Sequence, residues 1–163
     1  MTETKDDQTP EERRNIELVT EYMTIAYDPK RASAEAVSHL CSPNDRFIAP
    51  TAFPDVHTLE GYAGDHAKVM RQVNDLLQFV TFDVLFAKGD WVALRYTAEG
   101  SHGGEPHGDI PPTGRKARWT ASALFRGEGG KLTGFIKDWN KLSRWEQLGW
   151  PVEECLTQKG QVQ

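Results

Sequence analysis

The sequence has 163 residues, a formal net charge of −5 and two cysteines. This length favours a single domain with a sizeable apolar core. The acidic balance argues against a nucleic-acid partner, and no apolar run approaches the length of a membrane span. The chain contains no Cys-x-x-Cys or His-x-x-x-His spacing, no GxGxxG and no P-loop, so we expect neither a metal nor another cofactor. Cys41 and Cys155 lie far apart and are expected to be reduced thiols in a cytoplasmic protein.

The first half of the chain is predicted to be mainly helical. Residues 1–9 are polar and are expected to be disordered. Thr9 and Glu12 form a capping-box pattern with Pro10 at the first turn, which predicts a helix that runs to about Tyr27. Three further elements are predicted: a short helix over 33–40, a short strand over 46–49 and a third helix over about 58–77.

From Phe79 onward the apolar period changes from 3.6 to 2, which predicts strands. Strands are expected over about 79–86, 91–100, 115–126 and 131–140, followed by a short helical turn over 143–148 and a loose tail over 151–163. Helices followed by a meander of antiparallel strands predict one α+β domain over residues 10–150. Its strongly curved sheet, wrapped by the N-terminal helices, would form a cone-shaped barrel around an apolar pocket.

The last predicted strand carries the residue that we expect to do chemistry. Strict alternation places Asp138 on one face with Leu132 and Ile136. Burial among apolar side chains would raise the pKa of this carboxyl toward the range of a general acid or base. Phe135 and Trp139 are also large and apolar, so an alternative is that the strand is ending and Asp138 reaches the surface.

Four other polar residues are weaker candidates for the site. His66 lies in the apolar stripe of the third helix, either as a catalytic group or as a buried histidine bonded to a backbone carbonyl. His57 would lie at the pocket mouth or in a surface loop. Tyr22 would donate to a substrate oxygen or pack at the boundary. Asn140, which shares the predicted face of Asp138, would orient that carboxylate or cap the strand end.

The strand over 115–126 is a candidate wall for the pocket. Its apolar positions alternate with polar ones, and the small side chains of Ala121 and Ala123 beside Trp119 would leave room for a ligand. We therefore expect these three residues to contact substrate. The alternative is that the alanines pack against a helix.

A series of short motifs points to a known family. Gly100-Ser101-His102, the segment DIPPTGR over 109–115, Phe125-Arg126, Gly130-Lys131, Asp138-Trp139 and Gln147-Leu148-Gly149 occur in this order. Over about residues 14–150 this pattern resembles the SnoaL-like polyketide cyclase family within the nuclear transport factor 2-like superfamily.

The resemblance implies a curved sheet around a pocket and, in the characterised cyclases, an intramolecular aldol condensation without metal or cofactor. It gives Asp138, beside Trp139, the acid/base role. The position of an assisting histidine in those enzymes is occupied by Ala123. The resemblance also implies a homodimer or a higher homo-oligomer.

Three functions are consistent with these observations. The first is a cofactor-independent cyclase or isomerase, of the lyase or isomerase class, that acts on a small hydrophobic carbonyl compound. The second, motivated by Ala123, is a binding or carrier protein without chemistry. The third is an epoxide hydrolase-type activity, which needs an Asp–Arg–Asp set around a water; Arg95 and Asp138 would supply two members, and Asp83 beside Arg95 in the pocket would complete it.

Overall fold

The computed structural model describes residues 7–73 and 78–157. Five helices are α1 (Pro10–Ala26), α2 (Ala34–Val37), α3 (Leu59–Gln72), α4 (Lys141–Leu148) and α5 (Val152–Thr157). Five strands are β1 (Cys41–Ile48), β2 (Gln78–Lys88), β3 (Trp91–Ser101), β4 (Lys116–Glu128) and β5 (Lys131–Trp139). No helix among the described residues is long and apolar enough to cross a membrane.

Side-chain caps fix where the helices begin. At α1 the Thr9 hydroxyl accepts from the Glu12 amide at 3.1 Å, and the Glu12 carboxylate accepts from the Thr9 amide at 3.0 Å. This is the predicted capping box, in which two orphan amides of the first turn are satisfied reciprocally. Thr58 caps α3 in the same way, by accepting from the Gly61 amide at 2.9 Å. The predicted end of this helix, over 74–77, lies outside the described residues.

The strands form one curved, unclosed sheet in the order β1-β5-β4-β3-β2. β1 pairs with β5 in parallel, and the other neighbours are antiparallel. The inner face packs on α1 and α3; the ring of Tyr22, for example, meets those of Phe125 and Phe135 edge-on at 5.7 and 5.8 Å. The predicted α+β class, with helices on a curved sheet, is confirmed.

Alternation in β3 and β4 follows the prediction. The inward residues of β4 are buried one after another: Ala117, Trp119, Ala121, Ala123 and Phe125. In β3 the matching set is Val92, Leu94, Tyr96 and Ala98. The two strands pair without a register break from Trp91–Arg126 to Ser101–Lys116, so their inner faces remain aligned over the whole length.

A β-bulge in β5 reverses the predicted faces of its second half. Arg126 pairs with Gly134 but the next residue of β4 pairs with Leu132, so Thr133 is an extra residue in β5. Leu132 is buried, yet after the bulge the buried positions are Phe135 and Lys137. The expectation that Asp138 lies on the same buried face as Leu132 and Ile136 is therefore wrong: Asp138 is exposed.

Both ends of the domain are more ordered than predicted. The tail after Pro151 begins with helix α5, where we expected a loose segment. At the other end, Gln8 lies within the segment expected to be disordered, but its side-chain oxygen accepts from the Ala87 amide of β2 at 2.6 Å.

Gly127 is a test of how closely α1 approaches the sheet. A Cβ at Gly127 would lie 2.4 Å from Oδ1 of Asn15, which is itself buried. We expect Gly127→Ala to lower the free energy of unfolding by about 1–3 kcal/mol, because the buried Asn15 side chain, or the helix that carries it, must shift. Urea denaturation measures the change.

Gly64→Ala is the matched control for this substitution. A Cβ at Gly64, in the middle of α3, would meet Ala34 at an ordinary 3.6 Å. This variant should be unchanged or more stable by up to about 1 kcal/mol, because alanine has the higher helix propensity. Equal effects of the two substitutions would contradict the close approach.

Candidate active site

The bulge turns the amine of Lys137 into the interior of the domain. Lys137 is only 3% exposed and lies on the inner face of β5. Its Nζ donates to the hydroxyls of Tyr62 at 2.7 Å and Tyr27 at 2.9 Å. Aromatic rings surround it, with Nζ 5.0 Å from the ring centroid of Tyr62 and 5.2 Å from that of Trp139.

A third tyrosine hydroxyl extends the network around this amine. Tyr27 follows the last residue of α1, Tyr62 lies in α3 and Tyr96 in β3, and all three are buried. The Tyr27 hydroxyl is 3.0 Å from that of Tyr62 and also hydrogen-bonds to that of Tyr96. We call Lys137, Tyr27, Tyr62 and Tyr96 the lysine–tyrosine cluster.

Burial shifts the protonation of this cluster toward neutral forms. Loss of solvent, with a smaller effect from the charge of Arg144, lowers the pKa of Lys137 well below 10.5. Loss of solvent also raises the pKa of each of the three tyrosines well above 10. A neutral amine accepts a proton and a neutral phenol donates a hydrogen bond, so the cluster contains a base beside hydrogen-bond donors.

His66 borders the lysine–tyrosine cluster. It is 3% exposed, and its Nδ1 donates to the Ala26 carbonyl at 2.7 Å, as the buried-histidine alternative predicted. Its ring stacks on that of Tyr62, with centroids 5.3 Å apart. Burial, and then the charge of Lys137, lower the pKa of His66 well below 6.5. Because Nδ1 carries the proton in the neutral ring, Nε2 is left as an acceptor.

Helix α4 adds a second buried cation, Arg144. Asn140 starts this helix by accepting from the Ser143 amide at 3.0 Å, so it caps a helix rather than the strand end. Arg144 is 3% exposed and lies against three indole rings. Its Cζ is 4.5 Å from the ring of Trp139 and 5.4 Å from that of Trp119.

The predicted wall residues of β4 do face the interior beside this site. Trp119, Ala121 and Ala123 are 5%, 3% and 4% exposed. Ala123 pairs with Lys137 across the two strands. The position that the resemblance gives to an assisting histidine is thus directly beside the buried amine. Contact of these three residues with substrate stays a prediction.

Asp138 lies on the opposite face of the sheet. A shallow depression of about 460 Å³ at the end of β4 and β5 is lined by Thr120, Ala121, Ser122, Asp138, Trp139 and Asn140. Trp139 belongs to both places, since its ring also contacts Lys137 and Arg144. A catalytic role for Asp138 stays a prediction, but its carboxylate is not in the buried apolar environment on which that role was argued.

Two other candidates are placed away from the lysine–tyrosine cluster. His57 is exposed in the loop before α3, as the surface alternative predicted. Tyr22 is fully buried, but its hydroxyl donates to the Leu59 carbonyl at 2.5 Å and its ring packs on Phe125. Its hydroxyl is therefore committed to the backbone.

Arg95 pairs with Asp83, which was the condition for the epoxide hydrolase alternative. The Arg95 guanidinium is 2.6 Å from the Asp83 carboxylate, and Thr97 donates to the same oxygen at 2.8 Å. However, this pair lies on the outer face, with the Arg95 side chain 46% exposed. The arrangement that would enclose a water inside the pocket is not formed there.

Sequence reasoning missed the lysine–tyrosine cluster because it assumed unbroken alternation in β5. One signal was present: Gly134 interrupts an apolar strand, and such a glycine indicates a bulge. With one residue inserted, Phe135, Lys137 and Trp139 become the inward set. Arg144 gave no comparable signal.

The described residues contain no group of three or more His, Cys, Asp or Glu side chains that could hold a metal ion. Cys41 and Cys155 are both free thiols.

The fold is similar to several solved structures. A protein from Jannaschia sp. CCS1 described as a SnoaL-like polyketide cyclase aligns over 89% of this chain and 98% of its own, with a TM-score of 0.72 and 19% identity. IdmH from Streptomyces antibioticus, described as a polyketide cyclase, aligns over 83% and 98%, with a TM-score of 0.66 and 22% identity. TsrD from Streptomyces laurentii aligns over 84% and 96%, with a TM-score of 0.64 and 25% identity.

Comparison with curated proteins gave no match. The family model for SnoaL-like polyketide cyclases matches residues 17–148, which include the second half of α1, α3, the strands β1 to β5 and the lysine–tyrosine cluster. The chain therefore belongs to the SnoaL-like polyketide cyclase family.

Proposed function

We propose that this protein is a cofactor-independent acid/base enzyme that cyclises or isomerises a hydrophobic, polyketide-like carbonyl compound. One observation carries the proposal: a buried amine, Lys137, is hydrogen-bonded to two tyrosine hydroxyls on the inner face of β5. Membership of the family supports the class of substrate. The roles that we first gave to Asp138 pass to the lysine–tyrosine cluster.

The chemistry needs a base and a hydrogen-bond donor at one carbonyl compound. In its unprotonated form, which burial favours, the Lys137 amine removes a proton from a carbon between two carbonyls, giving an ammonium and an enolate. A tyrosine hydroxyl donates to the enolate oxygen, and after carbon–carbon bond formation the ammonium returns the proton to the new alkoxide. A placed base contributes about 10²–10⁴-fold, and holding both ends of one molecule together contributes up to about 7–11 kcal/mol.

Substrate would reach the cluster past Trp139. This ring separates the depression at the end of β4 and β5 from the Lys137 amine, 5.2 Å from its centroid. Rotation of the Trp139 side chain would open a path from this depression to the amine. Asp138 and Asn140 would then stand at the entrance, without sharing in the proton transfer.

A carrier function is the second candidate, favoured by the state of the cluster itself. The amine is already bonded to Tyr27 and Tyr62, and the family's assisting histidine is replaced by Ala123. A satisfied, buried network is what a purely structural polar core also requires. A carrier would bind the same carbonyl compounds and return them unchanged.

The outer face of the sheet is proposed as a homodimer interface. A row of apolar side chains crosses all five strands in register: Ile48, Ile136, Leu124, Ala93 and Phe86. Ile48 and Leu124 are 46% and 45% exposed in one chain. Apolar rows of this kind on a soluble surface mark contact sites, and in a symmetric dimer the row of one copy would cover the row of the other.

The free thiols support a cytoplasmic location.

Replacing the amine tests the proposed chemistry. Lys137→Met should lower turnover of polycyclic β-keto esters and other β-dicarbonyls by at least about 100-fold, because the base is removed. Asp138→Asn, one residue away on the outer face, should leave turnover at the wild-type level. Product formation is followed by chromatography and mass spectrometry.

The opposite pattern, with activity lost in Asp138→Asn and kept in Lys137→Met, would return the chemistry to the outer face. Tight binding of the panel by both variants and the wild type, without product, would favour the carrier function.

The buried amine also predicts how stability changes with pH. Because the pKa of Lys137 is lowered on folding, the unfolded chain binds more protons between the folded pKa and the ordinary value of 10.5. The free energy of unfolding should therefore rise with pH in that window. Lys137→Met should be more stable than the wild type at neutral pH and should show a smaller rise, to which Lys141, with its pKa lowered to about 8, still contributes. Urea denaturation from pH 6.5 to 9.5 measures both effects.

The control for this measurement is Lys30→Met, since Lys30 is exposed in the loop after α1. It should retain the wild-type slope. A wild-type stability that falls with pH, or a Lys137→Met variant that is less stable than the wild type at neutral pH, would contradict a destabilising buried amine.

The interface proposal is tested by a charge on the apolar row. Leu124→Glu should shift the protein from dimer to monomer in light scattering, because a carboxylate would be buried against its own copy. Leu142→Glu is the control, since Leu142 is 38% exposed on α4, away from the sheet face. A monomeric wild type, or dissociation by the control alone, would exclude this face as the interface.

A further inference from the structure

Arg144 is a buried charge without a counterion among the described residues. Its guanidinium lies against the rings of Trp139, Trp119 and Trp150, with Cζ 4.5, 5.4 and 5.6 Å from their centroids. No carboxylate of residues 7–73 or 78–157 forms an ion pair with it. A buried cation of this kind is costly unless a partner of opposite charge is supplied.

The neighbouring amines offer Arg144 no counterion. Lys137 also contacts the Trp139 ring, with Nζ 5.2 Å from its centroid. Lys141, one helical turn before Arg144, is 8% exposed, and burial lowers its pKa to about 8. The groups that surround Arg144 are therefore apolar or basic and supply no negative charge.

Two hydrogen-bond donors at this place are unused. Nε of Arg144 and Nε1 of Trp139 are both buried and have no partner among the described groups. Buried polar groups are nearly always hydrogen-bonded, so each such donor needs an explanation. Here the two unused donors are on side chains that contact one another, and one of these side chains is an unpaired guanidinium. A ligand with acceptor oxygens and a negative charge would satisfy both donors.

We propose that Arg144 and Trp139 form a carboxylate subsite and that the natural substrate is a carbonyl compound carrying a carboxylate group. This inference rests on the proposed function, because it assigns a substrate class to the same interior site. The carboxylate would be held against Arg144 and the Trp139 indole, and the reacting carbonyl would lie toward Lys137, whose amine also contacts the Trp139 ring. Asp138 lies at the rim of the depression, where its carboxylate would repel an arriving carboxylate. It is on the outer face of the sheet and Arg144 lies on the inner side, so the two side chains do not pair.

A pair of stable probes tests the subsite without turnover. 2-Naphthoate and 2-naphthamide differ in charge but hardly in size, and isothermal titration calorimetry with the full chain gives both affinities. We expect the wild type to bind the carboxylate at least about tenfold more tightly than the amide, the scale of one charge-assisted contact. Equal affinities, or a preference for the amide, would overturn the subsite without any variant.

Substitutions identify the residues that are responsible for the preference for the carboxylate over the amide. Arg144→Met should abolish it, Arg144→Lys should keep part of it, and Trp139→Phe, which removes the unused indole donor, should weaken it. Arg118→Met is the control, because Arg118 is a largely exposed arginine of β4. A preference that survives in Arg144→Met, or one that is lost in Arg118→Met, would place the carboxylate elsewhere.

Lys137→Met separates this inference from the proposed function. It should keep the carboxylate preference while losing turnover. If the preference is present but no variant or wild type converts any β-keto acid or ester, the subsite stands and the proposed chemistry fails. If neutral esters are converted while the wild type shows no carboxylate preference, the chemistry stands and the subsite fails.

Discussion

The hydrogen bonds between the Lys137 amine and the hydroxyls of Tyr27 and Tyr62 join most of the domain at one point. Tyr27 follows α1, Tyr62 lies in α3, Tyr96 bonds to the Tyr27 hydroxyl from β3, and the lysine comes from β5. Helices on one side of the core and strands on the other are thus tied by a polar junction. A buried polar group stabilises a fold only when its partners are in place, so these four elements must dock in one arrangement.

Taken by itself, burial of the Lys137 amine in this junction destabilises the folded state. Burying an amine near a second cation, Arg144, costs free energy, and an apolar side chain of similar size would avoid that cost. Proteins tolerate such groups mainly where function needs a shifted pKa or an unpaired charge. The energetic conflict at Lys137 and Arg144 is therefore an argument for function in itself, independent of the family to which the chain belongs.

Local patterns in the sequence were sufficient for most of the fold. The capping box of Thr9 and Glu12 depends on residues three apart, and the alternation of β4 depends on neighbours two apart, so both could be predicted. The site could not, because it depends on pairing between distant segments. Whether Thr133 pairs in register with β4 or forms a bulge depends on the contact between β5 and β4. The sequence of β5 alone does not contain that information. His66 was placed correctly in its helix stripe, but its neighbour Lys137 is 71 residues away by sequence number.

One inserted residue changes the chemical character of the interior. With unbroken alternation β5 would present a carboxylate inward at position 138, and the pocket would be negative. The bulge at Thr133 presents the Lys137 amine instead, beside Ala123 and close to Arg144, and the interior becomes basic. An amine can accept a proton and the charge of Arg144 stabilises anions such as a carboxylate, whereas an ionised carboxylate at the same place would repel them. Under the proposed function, a histidine at position 123 would add a second proton acceptor beside the Lys137 amine, whereas the smaller Ala123 would leave room for substrate.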